Sequence, residues 1–261
     1  MPETPLITLA LTIFAIDFLR YVLAAGAVWL LVCVILKQGL RSRRILDAEP
    51  RAGQIRRELT YSLSTLLIFA ANGLMLWLLA GNGSVRIYAD VADHGWVWWW
   101  ASLALIVVTH DAYFYWTHRL LHHRRWFRHV HGAHHASIHP TPWATYSFHP
   151  VDALVQALFL PLFVAVVPTH GAVIAVFLIH MIVRNSVGHC GHELWPWHWT
   201  PRGWLRLITP VTHHHFHHAR NRGNYGLYFT WWDRLCGTED TEYLRYGDAH
   251  FVANTQSRGA A

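Results

Sequence analysis

His118-Arg119-Leu120-Leu121-His122-His123, closing an apolar run from Trp96 to Trp116 and followed by His131-Gly132-Ala133-His134-His135, is the stretch that decides the fold. Residues three and four apart share one face of a helix, so His118 and His122 point at a common centre just beyond a segment long enough to cross a bilayer. His131, His134 and His135 repeat the offsets of three and four. Towards the C-terminus His214, His217 and His218 do so again, and Asn185, His189 and His192 place two more imidazoles and an amide on one face. Asp111 and Tyr115 extend the His118 stripe back towards the membrane, where Asp111 is expected to orient a ligand imidazole by a hydrogen bond.

Outward from this stretch the chain reads as membrane helix. It has 261 residues, 53% of them hydrophobic and only 14% charged, well below the share of charge in a soluble domain. Apolar runs cover residues 5–36, Tyr61 to Ala80, Trp96 to Trp116 and Ala153 to Val183, the last interrupted at Pro168-Thr169-His170-Gly171. The first exceeds one straight span and is expected to begin in the interface, with Asp17 and Arg20 paired three residues apart near its outer end. The second and third form a hairpin through the polar loop 81–95, and the fourth reads as two shorter helices around a tight turn. The expected fold is therefore all-α: a membrane-embedded bundle of about four to five spans or hairpin helices with a cytoplasmic histidine-rich helical cap. It forms a single integral-membrane domain over 1–261, with spans in 1–100, the histidine-rich region in 101–238 and a loose tail in 239–261.

Basic residues set the orientation. Lys37, Arg41, Arg43, Arg44, Arg51, Arg56 and Arg57 follow the first run, and Arg119, Arg124, Arg125 and Arg128 follow the third, whereas loop 81–95 carries only Arg86. Cations are retained on the inner side, so the histidines are expected at the cytoplasmic face of an inner or cytoplasmic membrane. The N-terminus lacks the basic region of a cleaved signal, and no removal is expected. The net charge of +6 lies beside apolar runs, which points to a bilayer and not to nucleic acid. Cys33, Cys190 and Cys236 are far apart and encode neither a disulfide framework nor a zinc ribbon.

There are 22 histidines, ten of them between His110 and His149, and His occupies five of the six positions 213–218. A structural or catalytic zinc takes three or four protein ligands, so this many imidazoles are read most economically as a site for two ions. Imidazole alone leaves zinc, copper, iron and nickel open. His94, His139, His198 and His250 read as solvated or interfacial, His170 as a turn marker and Cys190 as lying off the ligand face. Asn224-Tyr225-Gly226 reads as a turn and Trp232-Asp233 as a packed ring beside a loop-fixing carboxylate.

The strings His110-Asp111-Ala112-Tyr113-Phe114-Tyr115-Trp116-Thr117-His118-Arg119, His131-Gly132-Ala133-His134-His135, Phe148-His149-Pro150-Val151-Asp152, Gly188-His189-Cys190-Gly191-His192-Glu193 and His214 to His218, with Asn224-Tyr225-Gly226 and Trp232-Asp233-Arg234, resemble the integral-membrane fatty acid hydroxylase and sterol desaturase superfamily. The likeness runs from about residue 100 to 238. It implies a membrane-bound di-iron oxygenase that hydroxylates or desaturates a lipid C–H bond with O2 and two electrons. It also implies as metal ligands His118, His131, His134, His135, His189, His192, His214, His217 and His218, with His122 or His123 completing the set, since branches of the superfamily use either spacing. Asp111 and Asn185 are the expected catalytic residues outside the ligand set. The implied cofactors are two Fe ions, with Zn able to replace them in a recombinant preparation. The implied partners are the lipid substrate, the lipid bilayer and an external electron donor of the ferredoxin or cytochrome b5 type with its reductase, because the chain carries no dinucleotide or haem motif. At His192 the sequence departs from the sterol-oxidase branch, which often carries Tyr there, and this weighs against C4-methyl sterol oxidation. Two other classes compete: a membrane metal transporter or buffer, and a zinc-dependent membrane hydrolase with Glu193 as its base.

Overall fold

A computed structural model of the chain describes residues 5–46, 49–195, 206–246 and 249. The expected tail, His198 and His250 lie outside these residues. Helix α1 (Leu6–Val28) continues without a break into a π-wound segment, Trp29–Ile35. The excess length of the first run is thus taken up as one continuous helix, and the expected interfacial start is not seen among the described residues. Helices α2 (Gln54–Gly81), α3 (Gly95–Leu121) and α8 (Gly171–Gly188) complete the long elements, with the short α6 (Pro150–Ala157) and α7 (Phe159–Val166) preceding α8.

Three of these, Leu6–Ile35, Gln54–Gly81 and Gly171–Gly188, are long and apolar enough to cross a membrane, and the chain is an all-α membrane protein. Leu6, Ile7, Leu11, Leu19 and Leu23 of α1 remain exposed, as do Leu59, Leu63, Leu67 and Leu78 of α2. Helices apolar all round with little of that surface buried by protein need a lipid solvent. The segment expected as a further span is present as α3, 27 residues long, but Trp, Tyr, Thr and His dilute its Leu and Ile and it is less apolar than the other three.

The long helices meet at two ends. At one, β1 (Ile87–Tyr88), from the loop after α2, pairs in parallel with β2 (Thr169–His170), from the turn before α8. His170 does mark that turn: its ring accepts from the Ala172 N–H and donates to the Ala89 carbonyl at 2.8 Å. The run before the turn is divided at Leu158, where Pro161 cannot donate to a carbonyl one turn back. At the opposite end α1 exits, α2 begins, and α3 and α8 finish. A cap of short helices covers this end: α4 (Arg124–Trp126), a π-wound turn Phe127–His131, α5 (Gly132–His135), a 3₁₀ turn Pro142–Tyr146, α9 (Val211–Arg220) and α10 (Trp231–Leu235). Gln54 at the start of α2 holds this cap to the bundle, donating to the His139 carbonyl at 2.8 Å, while Thr141 donates to Glu58.

Asp17 and Arg20 form the expected pair at 2.8 Å, with both side chains turned towards the protein interior. They line a partly open cavity of 360 Å³ between α1, α2, α3, α6, α7 and α8.

Candidate metal centre

The cap and the ends of α3 and α8 bring nine histidines together in two groups. His118, His122, His131, His135 and His217 form one, and His134, His189, His214 and His218 the other. Within each group the candidate ligand atoms all lie within 4.8 Å of one another. The groups adjoin, since the rings of His135 and His218 are 4.6 Å apart and those of His131 and His134 are 5.4 Å apart.

The local fold aims each ring. On α3, His118 and His122 are one turn apart, with His122 as the C-cap residue. α5 carries His134 and His135 one after the other, so they point to different groups, and α9 divides His217 from His214 and His218 in the same way. His189 caps the end of α8.

The outward nitrogen of most rings is fixed by an acceptor. Nδ1–H of His118 donates to the Tyr225 carbonyl at 2.9 Å, His122 to Asn221 at 3.2 Å, His134 to Ser147 at 3.3 Å and His189 to Asn185 at 2.8 Å. His217 donates to Gly223 at 2.6 Å and His218 to Ser137 at 3.0 Å. His131 Nδ1 meets the Asp152 carboxylate at 2.7 Å. A carbonyl only accepts, so these rings carry their proton on Nδ1 and turn a bare Nε2 lone pair inward.

The inward atoms crowd each other. Nε2 of His122 and His135 are 3.0 Å apart, those of His189 and His214 3.1 Å, and those of His214 and His218 3.2 Å. His131 Nε2 and His217 Nε2 are buried with no hydrogen-bond partner among the described residues. Each such acceptor costs about 1–3 kcal/mol, and adjacent lone pairs repel. A cation between them removes both penalties. Two nitrogens about 2.1 Å from one ion stand about 3.0 Å apart at a right angle and about 3.4 Å apart in a tetrahedron, which brackets the observed spacing. The residues present therefore fit a pair of metal ions.

Electrostatics favour the ligating form. Burial holds His118 and His189 down to about 4, and His131, His134, His135, His214, His217 and His218 well below the ordinary imidazole value; neighbouring imidazoles lower all of these but His118 further, while carbonyl bonds partly raise His118, His134, His189 and His217. Neutral imidazole is the form that binds metal. Burial also pushes the Asp152 carboxyl up to about 7, and its polar partners are His131 Nδ1 and the Gln156 amide.

Four expected residues take other places. His192 is not gathered into either group: α8 ends at Gly188, Gly191 turns the backbone at φ +71°, and helical spacing no longer applies. Its Nδ1 donates instead to the Cys190 carbonyl at 3.0 Å. His123 is exposed and caps α4, accepting from the Arg125 N–H, so of the two alternatives His122 is the one in the cluster. Asp111 touches no imidazole of either group. It accepts from the Tyr228 and Phe229 N–H groups and from Trp231 Nε1 at 2.7 Å, anchoring the segment that supplies the Tyr225 carbonyl. Asn185 donates from its amide to the Thr145 carbonyl and orients His189 through its backbone.

The carboxylate that does meet a clustered imidazole, Asp152, was visible only as part of the string Phe148 to Asp152. Its signal was its place in the first turn of a helix that starts His149-Pro150, with His149 as the cap. Asp233 fixes the loop below the centre, accepting from the Tyr225 and Gly226 N–H groups at 2.8 Å.

The cavity touches this centre. Phe148 lines it and packs on His134 with ring centroids 5.0 Å apart, and Phe114 lines it and packs on His118 at 4.9 Å. Its wall is mostly apolar, with His110, Asn185 and Gln156 among its polar members.

Residues 103–238 match the family model described as fatty acid hydroxylase. Among curated proteins the chain is 34% identical over 75% of its length to a Delta(7)-sterol 5(6)-desaturase of Gibberella zeae, covering 59% of that protein. It is 33% identical over 71% of its length to lathosterol oxidase of Rattus norvegicus, covering 61% of it. It is 31% identical over 57% of its length to methylsterol monooxygenase 1 of Gallus gallus, covering 50%. The chain thus spans between half and two thirds of the length of these relatives. No solved structure matches it. With more than half of its residues under one family model, and with the clustered histidines falling inside that match, the chain belongs to the fatty acid hydroxylase family.

Proposed function

We propose that the protein is a membrane-bound di-iron oxidoreductase that uses O2 and two electrons to oxidise a C–H bond of a lipid, a sterol or a molecule of similar shape. The observation that carries this reading is the convergence of bare Nε2 atoms from α3, α5, α8 and α9 beside a largely apolar cavity. The names of the relatives, sterol desaturases and oxidases, support the substrate class.

When bound, the two ions supply the one-electron and O2 chemistry that no amino acid side chain provides. The protein's own part follows from its geometry. Nine imidazoles would hold the ions, and the carbonyls of Tyr225, Asn185, Gly223 and Ser137 lock His118, His189, His217 and His218 in the ligating tautomer. Phe114 and Phe148 stand between ligand rings and cavity, where they position an alkyl carbon near the centre and exclude water. The electrons come from a separate donor of the ferredoxin or cytochrome b5 type. The basic residues around the histidine end favour its placement at the cytoplasmic face.

The competing hydrolase lacks its base. The Glu193 carboxylate is fully buried and already accepts from the Thr212 N–H, the Thr212 hydroxyl and the Trp195 N–H. Lipid profiles of cells with and without the protein, repeated with His134→Ala, test the proposal. A lipid altered by one oxygen or two hydrogens, dependent on O2 and lost in the variant, supports it. Lipid turnover by purified protein without O2 or reductant overturns it, as does metal flux with no oxidised lipid.

A further inference from the structure

The cavity beside the centre is not uniformly apolar. Where α1 crosses it, the Asp17–Arg20 pair faces inward, and each side chain is only slightly exposed. Tyr146 lines the same cavity as Asp17 and Arg20, with its hydroxyl within reach of the Arg20 side chain. Tyr146 is 2% exposed, and its Oη meets the Arg20 side chain without completing a hydrogen bond of full geometry; Arg20 Nε is likewise incompletely paired. Asn72 of α2 lines the same space. Buried polar atoms are nearly always fully paired, so an incompletely paired hydroxyl beside an ion pair within a mainly apolar cavity indicates a polar group supplied by what the cavity holds.

The chemistry of this pole selects the group. Asp17 offers an acceptor, while Arg20 and Tyr146 offer donors, and the pair is neutral overall. A hydroxyl uses both kinds of partner because it donates once and accepts twice. A carboxylate only accepts and would confront Asp17, and a pure hydrocarbon would leave Tyr146 Oη incompletely paired. We infer that Asp17, Arg20 and Tyr146 form a recognition site for the hydroxyl of an otherwise apolar lipid, and that this site selects alcohols of the sterol type over hydrocarbons and fatty acids. The inference rests on the proposed function in taking this cavity as the one that holds the substrate.

The pole also bears on where the substrate is attacked. Tyr146 is two residues from Phe148, so their Cα atoms are at most about 7 Å apart, and Phe148 packs directly on His134. Ile13, Leu76, Leu160 and Ile87, the last on β1 at the end opposite the cap, also line the cavity and accommodate the apolar remainder. Attack is therefore expected on the portion of the lipid that carries the hydroxyl.

Binding tests this on the metal-loaded full chain in phosphatidylcholine nanodiscs without reductant, so that no turnover intervenes. The probes are lathosterol and its 3-deoxy analogue, then 1-octadecanol and octadecane, measured by scintillation proximity with wild type, Tyr146→Phe and Asp17→Asn. Tyr146→Phe removes an oxygen whose contact in the protein is the Arg20 side chain, which stays paired with Asp17, so it is expected to keep the fold. Wild type is expected to prefer each alcohol over its deoxy partner, and Tyr146→Phe to weaken lathosterol binding about three- to tenfold while leaving the deoxy analogue unchanged. Equal binding of alcohol and hydrocarbon by wild type, a preference that persists in both variants, or no alcohol binding at all overturns the inference. Sterol oxidation that proceeds with equal affinities leaves the proposed function standing and removes the hydroxyl site. Selective alcohol binding without any O2-dependent oxidation does the reverse.

Discussion

His131 Nδ1 and Asp152 Oδ2 are 2.7 Å apart, and neither side chain reaches solvent to any useful extent. Among the described residues this is the one contact in which a side-chain carboxylate, and not a backbone carbonyl, sets the orientation of a clustered imidazole. A carboxylate behind a ligating histidine raises its basicity as well as fixing its ring. Asp152→Asn keeps the shape and removes the charge. It is expected to lower metal affinity or turnover about 10- to 100-fold, read by metal titration and by activity at saturating lipid.

The two neighbouring histidines at the end of α3 should separate cleanly. His122→Ala removes an inward ring that contacts His135, and a loss of bound metal is expected. His123→Ala touches an exposed helix cap and should leave metal content unchanged, with stability altered by no more than about 0.5 kcal/mol. His192→Ala should likewise retain the full metal complement. Elemental analysis of the three purified variants checks all of this.

Asp111 is expected to behave as an anchor. In Asp111→Asn the amide cannot accept from three donors at once, which should cost about 1–3 kcal/mol of stability through the 228–231 segment while metal stoichiometry is kept at low temperature. Thermal unfolding in detergent alongside metal content separates this outcome from that of a direct ligand orienter, whose removal would strip metal without lowering the melting temperature.

Acid should unfold the metal-free protein early. Unfolded imidazoles bind protons near pH 6.5, whereas folded His118 and His189 hold off until about 4. Between those values the unfolded chain binds more protons, so stability is full above pH 6.5 and falls as the pH drops towards 4. Melting temperatures of metal-free protein at pH 7.5, 6 and 5 should descend in that order, and the metal-loaded protein should resist the first step because its Nε2 atoms are occupied.

Much of this architecture is legible in the residues because two periodicities dominate it. Runs of about twenty apolar residues gave the long helices, and offsets of three and four gave His118 with His122, His131 with His134 and His135, and His214 with His217 and His218. The misreadings occur where helical spacing was extended past a helix end. His189 to His192 spans Gly191, whose left-handed backbone turns His192 away; His123, the alternative that the family resemblance and not helical spacing left open, follows the last turn of α3. Asp111 lies on the same stripe as His118, but the 228–231 segment, distant in sequence, packs against it and takes its hydrogen bonds. The sequence carries no local mark of such a long-range contact. The same holds for the cavity, whose polar pole joins Asp17 and Arg20 of α1 to Tyr146 of the cap across more than a hundred residues.

The most direct test of the paired-ion centre is iron analysis combined with X-ray absorption at the iron edge on protein purified from iron-replete cells. Two ions per chain are expected, each with a shell dominated by imidazole nitrogen at about 2.0–2.2 Å, and the signal should drop when His118 or His214 is replaced by Ala. Fewer than two ions per chain after full reconstitution, or a nitrogen shell unaltered in both variants, would contradict it.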